Sequence, residues 1–269
     1  MHRFRILSLV ATVLLAPGIP LQAQRPFPYQ LRTGRELGLA ASGVGLLVGG
    51  TAVGNGQEPL TPSEIEGLDR QDVNAFDRGA TSQWSTGSGT ASDVMAYALL
   101  AAPVALMVTP PGSSAPITLG VMYGEALLLG DGLTSLLKSA TNRTRPFVYN
   151  DNPEIPAEDK ESLHARRSFP SGHAMHAFVS VVFLNTVYGK LKPDSPLRPW
   201  LWAGSLAVAG TVGYLRYDSG SHFPTDILAG AAIGSLAGWA IPRLHVTDAP
   251  QISIAPSAGR TALLVSLDF

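Results

Sequence analysis

The chain of 269 residues contains no cysteine. Disulfides, thiolate metal sites and cysteine nucleophiles are therefore excluded. Charged residues are also scarce, at 14% of the sequence, against about a quarter in typical soluble domains. The formal net charge is only −1, so neither nucleic acid nor an anionic membrane surface is expected to attract the chain by bulk charge. The length still allows one large domain with a sizeable core.

The sequence is instead rich in apolar stretches, and its mean hydropathy is positive. Most of these stretches are free of charge and all are rich in Gly, Ala and Leu: 37–57, 94–109, 117–137, 174–189, 199–215 and 227–242. Their length and the absence of long β-branched runs predict helices rather than strands. Strand-like alternation is confined to the end of the chain. The predicted fold is therefore an all-α bundle of about six core helices.

The N-terminus resembles an export signal, with Arg3 and Arg5 before a short apolar run and a small residue, Ala23, at the expected cleavage point. Residues 1–23 are therefore predicted to be a signal peptide. An uncleaved anchor is the alternative, but the apolar run is short for a span and is followed by prolines. Export places the mature protein in a bacterial envelope.

The remaining chain divides into three predicted parts. Residues 24–92 are expected to form an N-terminal helix and a polar loop, and residues 93–245 the helical core. Residues 246–269 form a tail in which two alternating runs flank the turn residues 256–259, which predicts a short C-terminal β-hairpin.

Whether the helices cross a membrane is left open by the sequence. Their low charge and high glycine content favour a membrane. Several apolar stretches, however, are only about 16 residues long, at or below the roughly 17 to 25 needed to span. A cleaved signal followed by six spans also places the polar strings described next on the cytoplasmic side. A soluble or peripheral bundle remains the alternative.

Three short polar strings follow or begin predicted helices, so that all three can meet at one end of the bundle. The first, residues 138–146, has Lys138 at a helix end and Arg145 seven positions later. A mobile ammonium and a planar guanidinium suit a phosphoryl group, whose negative charge spreads over several oxygens. Alone this pair is weak evidence, because basic residues after a helix are usually caps or solvated surface.

The second string is residues 170–173, Pro-Ser-Gly-His, before an apolar run. Ser171 is predicted to cap the helix, and the amides after it form an anion site at the positive helix end. Gly172 allows a ligand to approach the backbone closely, and His173 can give a proton to a leaving alkoxide. A lone histidine is more often structural. Three other histidines have no such context: His164, His176 and His245.

The third string contains Arg216, His222 and Asp226. Pro224 suits the first turn of the next helix, and Asp226 lies four residues after His222, close enough to contact it. A carboxylate on one ring nitrogen fixes the tautomer and leaves the other nitrogen free to attack. This pair alone also fits a helix cap, so the phosphate interpretation depends on the co-occurrence of all three strings.

Together the strings resemble the signature of the type 2 phosphatidic acid phosphatase (PAP2) superfamily, which includes bacterial nonspecific acid phosphatases and vanadium haloperoxidases. That signature is Lys, six residues, Arg-Pro; then Pro-Ser-Gly-His; then Ser-Arg, five residues, His, three residues, Asp. Every spacing holds here, and the one departure is Leu215, where the family usually has Ser. The match covers residues 137–239.

The resemblance implies a role for each matched residue. His222 attacks phosphorus and forms a phosphohistidine, Asp226 orients it, and His173 protonates the leaving alcohol and then activates water. Five groups hold the phosphoryl oxygens: Lys138, Arg145, Arg216, Ser171 and the amide of Gly172. No metal and no cofactor are implied, because three cations take that part.

The expected function is a metal-independent phosphatase acting on a phosphate monoester or diphosphate. The substrate is a phosphorylated lipid, which the apolar helices favour, or a small phosphate ester. A lipid phosphotransferase with the same site is the alternative, since only the acceptor differs. A vanadate-dependent haloperoxidase and a non-catalytic envelope protein are less favoured. The expected location is periplasmic or membrane-associated, with the site facing the periplasm; the oligomeric state is left open.

Overall fold

The computed structural model describes residues 26–247, and of the tail it describes the backbone of residues 251–257 and 260–266. The predicted signal peptide, residues 1–23, lies outside the described residues. Residues 27–247 form one compact unit and the tail belongs to another. In the tail, β1 (Gln251–Ser257) and β2 (Arg260–Ser266) pair antiparallel, with Gln251 opposite Ser266. The predicted hairpin is therefore confirmed.

The described residues contain nine α-helices: α1 (Thr33–Gly54), α2 (Pro62–Glu66), α3 (Thr86–Ala101), α4 (Val104–Val108), α5 (Pro116–Thr141), α6 (Ala157–Lys160), α7 (Gly172–Leu191), α8 (Arg198–Asp218) and α9 (Pro224–Leu244). Short 3-10 turns lie in the connections: Arg70–Asp72, Arg78–Ser82, Gly112–Ser114, Pro146–Tyr149 and Leu163–Arg166. The six long helices correspond to the six apolar stretches, which confirms the predicted all-α bundle.

Two details of the helix prediction are wrong. The stretch 94–109 is divided between α3 and α4, because Pro103 lacks an amide donor and caps the start of α4. Four helices, α5, α7, α8 and α9, extend beyond the apolar stretches that predict them, because helical hydrogen bonding continues into polar residues such as those that end α8. Within the polar loop, α2 ends at Glu66 and a separate 3-10 turn covers Arg70–Asp72.

Helix α7 is the centre of the bundle. Its buried side chains Met175, Val179 and Phe183 lie in one core cluster with Leu119 and Met122 of α5. Helix α9 approaches α7 closely through glycines: a Cβ on residue 230 would lie 2.2 Å from the carbonyl oxygen of Ser171, and one on residue 234 would lie 2.3 Å from that of Met175. Since no side chain fits there, the starts of α7 and α9 are held together.

The outer surface of the bundle is strongly apolar. Four helical segments are long and apolar enough to cross a membrane: Thr33–Gly54, Thr86–Val108, Gly172–Leu191 and Pro224–Leu244. Large apolar side chains on the helices are exposed, including Leu37 at 66%, Val94 at 64% and Leu236 at 62%. These segments have 20 to 23 residues, within the range needed to span. The objection that the helices are too short is therefore wrong.

Candidate functional site

The three predicted strings meet at one end of the bundle, where α5 and α8 end and α7 and α9 begin. The amide of Ser171 donates to the carbonyl oxygen of Asp226 at 2.9 Å, which joins the second string to the third. A guanidinium nitrogen of Arg145 lies 3.5 Å from Nε2 of His222, which joins the first string to the third. All eight predicted site residues therefore belong to one neighbourhood of helix ends and connecting loops.

His222 lies in the interior of this neighbourhood, with 1% of its surface exposed. Its amide donates to the carbonyl oxygen of Arg216 at 3.1 Å, which fixes the backbone before α9. Its Nδ1 lies 3.6 Å from Oδ2 of Asp226, longer than a hydrogen bond. Burial, and then the charges of Arg145 and Lys138, lower the pKa of His222 well below its usual value. The imidazole is therefore neutral at physiological pH and keeps a lone pair.

Asp226 is fully buried and is held by several donors. Its Oδ2 accepts from the hydroxyl of Ser168 at 2.5 Å and from the amide of Phe223 at 2.9 Å, and its Oδ1 accepts from Arg143 at 2.5 Å. These donors hold the carboxylate in one orientation. Asp226 is thus a fixed hydrogen-bond acceptor beside His222. Sequence reasoning missed Ser168 and Arg143, although Arg143 lies inside the first string.

Arg145 and Lys138 are both held by main-chain oxygens of the loop before α7. Arg145 is 3% exposed and donates from Nε to the carbonyl of His164 at 2.9 Å and from Nη2 to that of Arg167 at 3.3 Å. Lys138 Nζ donates to the same Arg167 carbonyl at 2.9 Å. Burial and the nearby charge of Arg216 lower the pKa of Arg145 to about 9. Among the described residues neither group forms an ion pair with a carboxylate, so both remain available to an anion.

His173 and Arg216 share a carboxylate that sequence reasoning missed. Asp93 of α3 places Oδ1 at 2.8 Å from Nε2 of His173 and at 3.2 Å from Nη1 of Arg216. Arg216 also donates to the hydroxyl of Ser92 at 3.2 Å. Asp93 is the one charged residue in α3. A lone carboxylate on an otherwise uncharged helix is the signal that could have identified it.

The start of α7 has the predicted cap geometry. Ser171 is the N-cap, is fully buried, and accepts from the amide of Ala174 at 3.4 Å. The first amides of a helix have no acceptor within the helix, so those of Gly172 and His173 are available to an anion. A Cβ on Gly172 would meet no protein atom within 4 Å. The space in front of these amides is therefore open.

A second missed carboxylate links the polar loop to this site. Asp77 is fully buried, and its oxygens accept from Arg143 at 2.8 Å and from the amide and hydroxyl of Thr225 at 3.0 Å and 2.6 Å. Burial tends to raise the pKa of Asp77, but the bonds from Thr225, Arg143 and Asn74 lower it below its ordinary value. The loop of residues 58–85 thus supports the start of α9.

His164 lies near the cations but differs from His222 in its attachment. The charge of Arg145, followed by burial, lowers the pKa of His164 to about 3. Its carbonyl oxygen, rather than its ring, binds Arg145. This arrangement is consistent with the predicted structural role of His164.

The arrangement suits an anion with several oxygens. Lys138, Arg145 and Arg216 supply positive charge, the amides of α7 supply a helix-end dipole, and the two carboxylates beside them already bind histidine or arginine partners. Such preorganised donors stabilise the charge of a phosphoryl group in its transition state. A neutral imidazole among them can attack phosphorus.

Known proteins with similar sequences support this interpretation. The PAP2 superfamily model matches residues 119–249. A lipid A 4′-phosphatase of Bacteroides thetaiotaomicron is 34% identical over 110 residues, which cover 39% of this chain and 44% of that protein. An undecaprenyl-diphosphatase of Sulfolobus acidocaldarius is 31% identical over 119 residues, which cover 44% of this chain and 50% of that protein. The chain thus spans about half the length of these relatives.

A solved structure was also compared with the fold. A transmembrane PAP2-type phosphatidylglycerolphosphate phosphatase from Bacillus subtilis is 22% identical and has a TM-score of 0.38, covering 79% of this chain and 92% of that one. The family match at residues 119–249 includes every one of the eight predicted site residues. Residues 119–249 of this chain are thus similar to the PAP2 superfamily, as the motifs indicate.

Proposed function

We propose that the protein is a metal-independent phosphatase that works through a phosphohistidine on His222. The observation that carries this proposal is a buried, neutral imidazole with a fixed carboxylate on one side and cations on the other. Because Nδ1 faces Asp226 and Nε2 faces Arg145, Nε2 is the attacking atom. Asp226 stabilises the positive charge that develops on the ring.

The reaction has two steps. In the first, Nε2 of His222 forms a bond to phosphorus while the bond from phosphorus to the leaving oxygen breaks, and His173 gives that oxygen a proton. In the second, His173 takes a proton from water, the water oxygen bonds to phosphorus, and the phosphorus–nitrogen bond breaks to restore His222. Asp93 contacts Nε2 of His173 at 2.8 Å, so it orients the ring and stabilises its charged form.

Five groups hold the phosphoryl oxygens in this scheme. Lys138, Arg145 and Arg216 neutralise the charge, and the start of α7 contributes Ser171 and the amide of Gly172. The open space in front of Gly172 leaves room for the phosphate against the backbone. Main-chain oxygens already orient Lys138 and Arg145, and the side chains of Ser92 and Asp93 orient Arg216. Little reorganisation is therefore needed during the reaction.

The substrate we propose is a phosphorylated lipid. Exposed apolar side chains on α1, α3 and α9 form a surface suited to acyl chains. The relatives' names refer to lipid A and to undecaprenyl diphosphate, and both are lipids that carry a phosphate or diphosphate. A small soluble ester needs no such outer surface.

We propose that the helices lie in a bacterial membrane, with the site facing the periplasm as the predicted export signal suggests. Glu36 near the start of α1 contacts His245 after α9, so both lie at the end opposite the site. A cleaved signal and a spanning α1 together turn the site toward the cytoplasm. A periplasmic site therefore requires either that the N-terminal segment does not carry the start of α1 across the membrane or that α1 does not cross.

Single cysteines in this cysteine-free chain test that orientation. Glu154→Cys lies in the loop between the site strings, and Lys192→Cys follows α7 at the other end of the bundle. In intact cells, a membrane-impermeant maleimide should label Glu154→Cys and spare Lys192→Cys. Labelling of Lys192→Cys alone would show that the site faces the cytoplasm.

A substrate panel tests the activity. Phosphate release is measured from phosphatidate, a polyprenyl diphosphate and a chromogenic phosphate ester, using protein purified in detergent. We expect the lipids to have the higher kcat/KM. His222→Asn should remove turnover of all three, whereas His176→Asn, which removes a histidine paired with Asp131 outside the scheme, should retain it. Equal activity of His222→Asn and the unmodified chain would disprove the proposed nucleophile.

A further inference from the structure

A second cluster of ionisable side chains lies at the opposite end of the bundle. Glu36 in the first turn of α1, Glu125 in α5 and His245 at the end of α9 come together there. One ligand atom from each lies within 4.8 Å of the other two. Glu125 precedes Lys138 by 13 positions on α5, which is about 20 Å along a helix. The cluster is therefore separate from the candidate phosphate site.

The protonation of His245 follows from its hydrogen bond. Its Nδ1 lies 2.8 Å from the carbonyl oxygen of Ile241, so Nδ1 carries the proton and donates it. In the neutral ring Nε2 is then an acceptor. It lies 2.9 Å from Oε1 of Glu36 and 3.2 Å from Oε2 of Glu125, which are also acceptors. Three acceptors therefore face one another.

Two of the three acceptor groups, those of Glu125 and His245, are buried without donors among the described residues. His245 is fully buried and Glu125 is 6% exposed. Among the described residues, three atoms have no hydrogen-bond partner: both carboxylate oxygens of Glu125 and Nε2 of His245. Leaving a buried carboxylate unpaired is costly. The cluster therefore requires a positive species between its three members.

We propose that this cluster binds a divalent transition-metal ion, Zn²⁺ or Mn²⁺, through Nε2 of His245, Oε1 of Glu36 and Oε2 of Glu125. One imidazole and two carboxylates are a ligand set that such ions accept. Metal–ligand distances of about 2.0 to 2.2 Å place tetrahedral ligands about 3.4 Å apart. The observed separations of 2.9 and 3.2 Å need to open by only a few tenths of an ångström.

The surroundings of the ligands support a metal rather than a bare proton. A metal-bound histidine usually donates its other N–H to a backbone carbonyl, as His245 does to Ile241. Ligating carboxylates are in turn hydrogen-bonded, and Arg35 donates to Oε1 of Glu36 at 2.7 Å while also binding the carbonyl of Gln30 at 2.6 Å. Arg35 holds Glu36 in position and offsets part of the double negative charge.

A cavity beside the cluster gives the ion a route of entry. It has a volume of about 550 Å³, and both Glu36 and Glu125 line it together with apolar residues of α1 and α5. Three protein ligands leave at least one coordination position, which a water molecule in this cavity can occupy. Since the cavity reaches the carboxylates, binding needs no opening of the bundle.

Direct binding of Zn²⁺ and of Mn²⁺ tests the proposal. The full chain is purified in detergent, stripped with a chelator, and titrated with each ion by calorimetry, and its melting temperature is measured with and without the ion. We expect one bound ion per chain and a higher melting temperature. Glu125→Gln and Glu36→Gln should each weaken binding by at least about 10-fold to 100-fold. Glu154→Gln, which removes an exposed carboxylate elsewhere, should bind like the unmodified chain.

Two results would overturn the proposal. In the first result, neither ion raises the melting temperature of the unmodified chain, whereas Glu125→Gln raises it. This result would identify a shared proton as the positive species. The second is equal binding by the unmodified chain and both variants. Glu36 is more exposed than Glu125, with 16% of its side chain accessible, so Glu36→Gln keeps the test informative if Glu125→Gln fails to fold. His222→Asn should bind the ion normally, which separates this site from the proposed phosphatase.

Discussion

The two ends of this bundle use the same types of side chain for opposite purposes. At the phosphate end, His222 lies between Asp226 and Arg145, and each nearby carboxylate already has a cationic or hydroxyl partner. At the other end, His245 faces Glu36 and Glu125, and the Glu125 oxygens have no donor among the described residues. We propose that one end receives an anion and that the other receives a cation.

The comparison shows that a contact between a histidine and a carboxylate does not by itself determine the function of a site. Beside His222, burial and then the charge of Arg145 lower the pKa of the imidazole. Beside His245, a second carboxylate instead adds another acceptor for positive charge. Helices α5 and α9 pass from one end to the other, so a single bundle separates the two environments by helix length alone.

The largest expected effect is the loss of the nucleophile at the phosphate end. His222→Asn should lower kcat by at least about a thousandfold, because it removes the proposed nucleophile. Labelled phosphate trapped in acid-labile linkage on the unmodified chain should be absent from the variant. His245→Asn should still trap it, since His245 lies at the far end. Trapped label in His222→Asn would remove the functional difference between the two histidines.

A smaller effect is expected from Asp93, the carboxylate that His173 and Arg216 share. Asp93→Asn should lower kcat by about 100-fold, since general acid–base catalysis contributes about 10² to 10⁴ and the variant misorients His173 rather than removing it. The loss should be smaller for a substrate whose leaving group needs no proton, such as a nitrophenolate ester. An equal loss with good and poor leaving groups would assign Asp93 to phosphate binding through Arg216.

The pH dependence of activity tests whether nearby positive charge lowers the pKa of His222. Lys138 is among the charges that lower the pKa of His222, so Lys138→Met should raise that pKa. A raised pKa protonates the nucleophile at higher pH, and the acid limb of the kcat/KM profile should therefore move to higher pH. Glu154→Gln is the control and should leave the limb in place. An unmoved limb in Lys138→Met would show that burial and the remaining cations keep His222 neutral without Lys138.

The sequence predicted the long helices and led to the eight proposed site residues because both inferences depend on local patterns. Apolar stretches predicted every long helix, and fixed spacings identified residues such as Ser171 and His222. The ends of the helices were not predictable in this way. Gly172 and Arg216 lie within helices although they lie outside the apolar runs.

The missed residues have a different cause. Asp77 and Asp93 reach the site from distant segments, at sequence separations of 148 and 123 residues from Thr225 and Arg216. Contacts of this kind depend on how the helices pack, which no local spacing encodes. His245 has the same character: it has no motif around it, and its contacts with Glu36 and Glu125 appear only when α1, α5 and α9 are assembled.

The smallest expected effect distinguishes a ligand-binding backbone from a structural one. A Cβ at Gly172 would meet no protein atom within 4 Å, and alanine is favoured over glycine in a helix, so Gly172→Ala should leave the melting temperature unchanged or slightly higher. The added methyl group lies where a phosphoryl oxygen approaches the α7 amides, so KM should rise by about 10-fold. Gly234→Ala is the matched contrast, because its Cβ would lie 2.3 Å from the Met175 carbonyl and should destabilise the bundle. An unchanged KM in Gly172→Ala would mean that the cations alone hold the phosphate. The start of α7 would then not contribute to phosphate binding, and in this respect it would resemble the far end of the bundle.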